Sequence, residues 1–193
     1  MQYLTAWGGL VHIAGVRAGD FVSIPAASSS VGLAAIQIAR DAGATAIAVT
    51  RTSAKKDELL ALGAHHVIAS TEEDYGVRIT FDPVGGPFVE TLAGAASYGG
   101  IVLLYGVLAG ESTPFPLFAA FRKALTFRAY TLMEFTGTPS ILDAARKYVY
   151  DRLADGRFTP KIARTFVYKD TPEAYRYLES NEQIGKIVIT LPS

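Results

Sequence analysis

The 193-residue chain has no cysteine, three histidines, one tryptophan and two methionines. Without thiols there are no disulfides and no thiolate metal ligands. That absence fits a reducing compartment, and the cytoplasm is the expected setting. Only His12, His65 and His66 can supply imidazole, and an adjacent pair on a strand points to opposite faces. No metal centre is expected. An excess of charge is also missing: 18 basic and 18 acidic residues balance to zero. This argues against nucleic acid or an anionic membrane as the main partner. No run reaches the ~18 apolar residues of a membrane span. The opening "MQYLTAWGGLVHIAG" has neither a basic start nor a small-residue cleavage site, so no signal peptide is expected. It reads as a helix, with Leu4, Leu10, Val11 and Ile13 apolar.

Half of the residues are hydrophobic, enough for a single packed domain spanning residues 1–193. Apolar runs at Phe21–Ala26, Thr45–Thr50, His65–Ser70, Val77–Val84, Gly100–Gly106 and Leu125–Leu132 read as six strands. Helices are expected at Val31–Ala42, at Ser53–Gly63 with Leu59, Leu60 and Leu62 inward, and from Pro87. Another follows between Thr138 as N-cap and Gly156 as stop. A small helix and the strand "GKIVITL" close the chain. Apolar strands alternating with helices predict an α/β fold, a doubly wound parallel sheet of the Rossmann type.

In such a fold the first strand-to-helix turn faces the ligand, at a helix N-terminus carrying unpaired N–H groups and partial positive charge. The dinucleotide fingerprint G-x-G-x-x-G, laid on this turn, reads Ala27-Ser28-Ser29-Ser30-Val31-Gly32. Only Gly32 keeps its glycine, where helix and strand pack closely. Ser29 is small, and its hydroxyl can donate to a phosphate oxygen. Serines are equally ordinary helix N-caps, so the turn alone leaves both readings open.

The end of the second strand separates NAD from NADP sites. An NAD site holds the ribose 2′-hydroxyl with Asp or Glu. Here "VTRTSAKK" (residues 49–56) has no acid. Arg51 and Lys55 bring positive charge, and Thr50 and Thr52 bring hydroxyls. Cations are the wrong sign for a helix N-terminus, and Arg can pair bidentately with a 2′-phosphate. The pattern is either a solvated basic helix start or an NADP(H) site, with NADP(H) favoured over NAD(H).

"AASSSVGLAAIQIA", "TRTSAKKDELLALGAHHVI", "FDPVGG" and "GKIVI", taken in order, resemble the medium-chain dehydrogenase/reductase superfamily, in particular its zinc-free quinone oxidoreductase branch. The resemblance implies NADP(H) and hydride transfer to a small quinone, alkene or carbonyl substrate. It implies that Ser28, Ser29, Ser30, Val31 and Gly32 cradle the pyrophosphate. Thr50, Arg51, Thr52 and Lys55 would hold the 2′-phosphate. Pro83 and Val84 would line the adenine or ribose side, and Gly106 and Val107 would sit near the nicotinamide. Leu125–Leu132 would pair two subunits into a homodimer. Ser70 stands where many relatives carry a cofactor-contacting tyrosine.

The chain departs from that family in two respects. The family has an N-terminal barrel-like domain that supplies much of the substrate pocket, and this chain is expected to lack it. It is therefore expected to have little or no activity alone, and a non-catalytic nucleotide-binding or dimerisation module is the alternative. The link from the third strand to the fourth also looks short. Three strand spacings and a strand's return require a path of roughly 22 Å, and six residues span at most about 20 Å. A helix-free crossover and a shortened or displaced third strand are expected.

Other chemistries find little support. No tyrosine has Lys four residues on, and no P-loop or G-x-S-x-G elbow is present. Asp82 reads as the cap of the "PVGG" turn, Tyr105 as buried packing, and Tyr98, Tyr148, Tyr150, Tyr175 and Tyr177 as packing beside helices. Hydride passes directly between nicotinamide and substrate, so no catalytic residue is assigned.

Overall fold

Short apolar strands followed by helices can bury both strand faces only in a parallel sheet, and this chain forms one. The computed structural model describes residues 1–68 and 76–191. Strands β1 (Phe21–Pro25), β2 (Thr45–Val49), β3 (His66–Ile68), β4 (Val77–Asp82), β5 (Ala96–Leu104) and β6 (Thr126–Ala129) lie in the order β3-β2-β1-β4-β5-β6. Every neighbouring pair is parallel. Central β1 sets Val22 opposite Ala46 on one side and Ile79 on the other, and all three are fully buried. The chain grows outward from β1 to β3 and then crosses to β4. The strand order therefore reverses between β1 and β4, where ligands bind in doubly wound sheets.

Helix α1 (Gln2–Trp7) runs on into a π-helical stretch, Gly8–Ile13. Helix α2 (Ser30–Asp41) is buried over most of its length, with Leu33, Ala34, Ala35, Ile36, Ile38 and Ala39 all inside. A 3₁₀ turn at Ser53–Lys55 leads into α3 (Lys56–Ala61). Leu59 alone of the three expected leucines is fully buried; Leu62 is half-buried and Leu60 exposed. Successive helix residues lie about 100° apart, so Leu60 points away from the face on which Leu59 is buried. The remaining helices are α4 (Phe88–Ala95), α5 (Leu117–Lys123), α6 (Met133–Thr136), α7 (Pro139–Ala154) and α8 (Thr171–Glu179). Thr138 and Gly156 flank α7 as expected, but the Thr138 side chain makes no capping bond.

The closing strand β8 (Lys186–Thr190) does not join the main sheet. It pairs in parallel with β7 (Ile162–Val167) as a separate two-stranded sheet. The sequence reading missed β7 because "IARTFV" buries only Phe166, so its apolar signal is that of a loop. Strand β6 is four residues where eight were expected. Strand β3 has three residues. Ser70 and the link at residues 71–75 lie outside the described residues. Tyr98 sits on β5 and is 81 % exposed, and Tyr150 and Tyr175 are likewise exposed rather than packed.

The N-terminal helix is held by residues from the far end of the chain. Tyr3 stacks on Phe158 at 5.0 Å. Tyr130 Oη donates to the Thr5 carbonyl at 2.9 Å. Gln37 Nε2 donates to the Thr159 carbonyl at 3.0 Å while its Oε1 accepts from Thr159 N–H at 2.9 Å. At the end of α2, Asp41 accepts from Arg152 Nε at 2.5 Å and from an Arg157 guanidinium N–H at 2.8 Å. Burial alone would raise the Asp41 carboxyl, but those hydrogen bonds outweigh it and hold the group below its ordinary range. A depressed carboxyl stabilises the fold above the unfolded pKa of about 3.9, and this stability is lost as pH falls through the lower folded value. Asp41→Asn is expected to lower the unfolding free energy by about 1–3 kcal/mol at pH 7. Denaturant titrations of the two proteins should converge below about pH 4.

Candidate functional site

Because the six strands are parallel, their carboxyl ends share one edge, and every residue expected at the cofactor follows one of those ends. Ser28–Gly32 follow β1, Thr50–Lys55 follow β2, Pro83 and Val84 follow β4, and Gly106 and Val107 follow β5.

At the first turn the structure shows the helix cap. Ser29 is the N-cap of α2, and its Oγ accepts from the Gly32 N–H at 3.0 Å. Its own O–H remains able to donate. Gly32 is required by closeness: a Cβ there would lie 2.6 Å from the Ala27 carbonyl oxygen and 2.7 Å from that of Ala26. Val31 is half-buried on the first turn beside it.

The β2 loop reaches this turn directly. Lys55 Nζ donates to Ser28 Oγ at 3.2 Å. Its other two bonds go to the carbonyls of Asn181 at 2.5 Å and Gln183 at 3.0 Å. Burial and then the nearby Arg51 charge lower the Lys55 ammonium, with Glu58 and Glu182 pulling the other way. Arg51 is exposed and forms no ion pair among the described residues. Thr50 donates its hydroxyl to the Thr52 carbonyl at 2.7 Å, folding the loop back on itself. The edge here is cationic and carries no carboxylate between residues 49 and 56.

The loops after β4 and β5 are bound together. Leu108 N–H donates to the Pro83 carbonyl at 3.1 Å and Ala109 N–H to that of Val84 at 2.9 Å. A Cβ on Gly106 would lie 2.5 Å from the Pro83 oxygen, so only glycine permits this approach. Val107 projects at 79 % exposure. Asp82 is fully buried beneath them. Its two oxygens accept from Val84 N–H at 2.7 Å and Gly85 N–H at 3.1 Å. Burial raises this carboxyl and those donors only partly offset it; it caps the turn, as expected. Tyr105 stacks on Phe81 at 4.0 Å, and burial followed by the Asp82 charge pushes its phenol up. Its role is packing.

The sequence reading missed the third wall, the turn at residues 181–185. Gly185 N–H donates to the Ser28 carbonyl at 2.9 Å, and Gly185 bridges Ser29 in parallel. The polar "NEQIG" before an apolar strand signals a turn, but no local pattern indicates that it folds onto Lys55, 128 positions earlier.

The fold is that of an α/β domain of the doubly wound class. Residues 30–147 match the zinc-binding dehydrogenase family, and the chain belongs to it. The family likeness read in the serine turn and the loops that follow is thereby shown. Across its whole length the chain is 31% identical to the polyketide synthase GfsB of Streptomyces halstedii, covering 4% of that protein. Over 90% of its length it is 26% identical to 2-haloacrylate reductase of a Burkholderia species, covering 56% of it. The chain thus spans from a small fraction to about half of these relatives. Among solved structures, that of mycobacterial Rv1454c complexed with NADPH superposes with a TM-score of 0.88 at 22% identity, over 98% of this chain and 62% of that one. At that identity the likeness is one of fold.

The family's name carries zinc, and the residues present do not fit a zinc centre. The sequence has no cysteine. Among the described residues no group of three or more His, Asp or Glu is placed to hold a metal, and no helix is long and apolar enough to cross a membrane.

Gly32→Ala tests the close approach that builds the first turn. Alanine gains roughly 1 kcal/mol of helix propensity, but its Cβ must displace backbone. A net loss of about 1–3 kcal/mol in unfolding free energy is expected from denaturant titration.

Proposed function

We propose that this chain is the cofactor-binding part of an NADP(H)-dependent oxidoreductase acting on a small activated alkene, quinone or carbonyl compound in the cytoplasm. The observation that carries the reading is the contact between the serine turn and the acid-free basic loop, Lys55 Nζ to Ser28 Oγ at 3.2 Å. It joins a helix N-terminus suited to pyrophosphate to cations suited to a 2′-phosphate. The relatives support it in kind: one is named a reductase of a haloacrylate, and one neighbour holds NADPH.

The residues fit the cofactor, which when bound supplies a hydride at its nicotinamide. Ser28–Gly32 orient the pyrophosphate through the Ser29 hydroxyl and the first-turn amides of α2. Arg51 and Lys55 neutralise the 2′-phosphate, with Thr50 and Thr52 shaping the loop. Pro83 and Val84 border the adenosine side. Gly106, held against Pro83, and Val107 would lie at the nicotinamide end. No described residue is assigned a proton transfer. The substrate pocket is completed by a further domain, so the chain by itself turns over slowly or not at all.

The chain works as a homodimer through β6. Its outer edge is unpaired in the sheet order, and exposed unpaired edges recruit further strands. Phe115, Leu117, Phe118 and Phe121, leading into it, are 59–86 % exposed, an apolar patch of the kind that marks interfaces.

Calorimetric titration tests the cofactor assignment. NADPH is expected to bind at micromolar strength and NADH at least about tenfold more weakly, a difference of ~1.4 kcal/mol or more. No heat from either, on a chain shown to be folded, overturns the assignment. Sedimentation tests the pairing: the chain should run as a dimer, and Phe118→Glu with Phe121→Glu as a monomer of unchanged circular dichroism.

A further inference from the structure

Lys55 has three ammonium protons, and three acceptors take them: one hydroxyl on the serine turn and two backbone carbonyls on the turn at 181–185. The lysine therefore fastens the later turn onto the earlier one. Among the described residues, one backbone bond also joins these turns, from Gly185 N–H to the Ser28 carbonyl. The later turn is also a wall of an open groove of about 260 Å³, lined among others by Ser29, Ser30, Gln183 and Gly185. Gln183 Oε1 is buried and has no hydrogen-bond donor among the described residues.

We propose that Lys55 exchanges partners: in the ligand-free chain it clamps the 181–185 turn over the serine turn, and a bound 2′-phosphate takes it from the Asn181 and Gln183 carbonyls, so that NADPH, but not NADH, loosens the turn. This rests on the NADP(H) assignment above. A phosphate dianion is a stronger acceptor than a neutral carbonyl, because charge-assisted hydrogen bonds are roughly twice as strong as neutral ones. The ammonium cannot serve a phosphate without giving up an acceptor it now holds. Arg51 stands on the same loop with no ion pair among the described residues, so it can meet the phosphate without breaking a contact. Both cations therefore contribute affinity, and Lys55 also couples the 2′-phosphate to the position of β8. Strand β8 starts one residue after Gly185, so the exchange reaches the β7–β8 sheet and the groove together.

Hydrogen exchange read at the Gly185 amide, on the full chain with saturating NADPH, with NADH and without nucleotide, tests this. NADPH is expected to speed Gly185 exchange several-fold and NADH to leave it unchanged. Lys55→Met keeps the alkyl stem and removes the donors. In that variant Gly185 should exchange fast without nucleotide, NADPH should add nothing, and the NADPH-to-NADH affinity ratio should fall toward one. A purely structural lysine would alter exchange but leave that ratio intact, which overturns the proposal. Slowed or unchanged Gly185 exchange in a chain that still prefers NADPH also overturns it, while sparing the cofactor assignment. Failure to bind either nucleotide, or equal binding of both, removes both.

Discussion

The close start of α2 against the end of β1 is the constraint on which the rest of the carboxyl edge depends. Gly32 has no side chain to hold the two apart, and a single methyl group would meet two carbonyl oxygens. With the helix start fixed, Ser29 falls within reach of the Gly32 amide, Ser28 faces Lys55, and the Ser28 carbonyl meets Gly185. The turn before it is strained: Ala26 has a φ of 51°, a left-handed conformation that costs a non-glycine residue about 1–2 kcal/mol. Its carbonyl accepts the Ser29 N–H at 2.9 Å, which holds the turn in this shape without the glycines usual at such a place.

Two charge environments of opposite design sit along the same edge. After β2 the groups are cationic and partly open, and Lys55 is lowered by burial and by Arg51. After β4 the single carboxylate is sealed in and spends both oxygens on backbone amides. The first arrangement leaves attraction for an external anion, and the second leaves nothing to offer. A buried acid at a strand end is therefore not sufficient to mark a reactive group; its hydrogen bonds decide.

The strand alternation and the acid-free loop were legible in the sequence because both are local. "FVSIPA" and "TAIAVT" announce buried parallel strands by composition, and Gly32 announces its close approach by surviving where its neighbours are serines. What could not be read is long-range. Strand β7 offers one buried side chain and pairs with a strand more than twenty residues later. The 181–185 turn carries no motif, yet it supplies two of the three acceptors of Lys55. Leu60 lies about 100° around the helix from buried Leu59, so its hydrophobicity alone does not place it inward.

The ties of α1 also bear on how the protein is made. Tyr130 reaches the Thr5 carbonyl across 125 residues of sequence, and Gln37 reaches Thr159 across 122. Parallel pairing and contacts of such separation form late. A ribosome delivers β1 and its flanking strands first, while the faces of α1 and α2 that receive Phe158 and Thr159 stay uncovered until most of the chain has emerged. Nascent chains expose apolar surface in that interval and are then most prone to aggregate. For this domain, synthesis from the N-terminus leaves the first helix among the last elements to be locked in place.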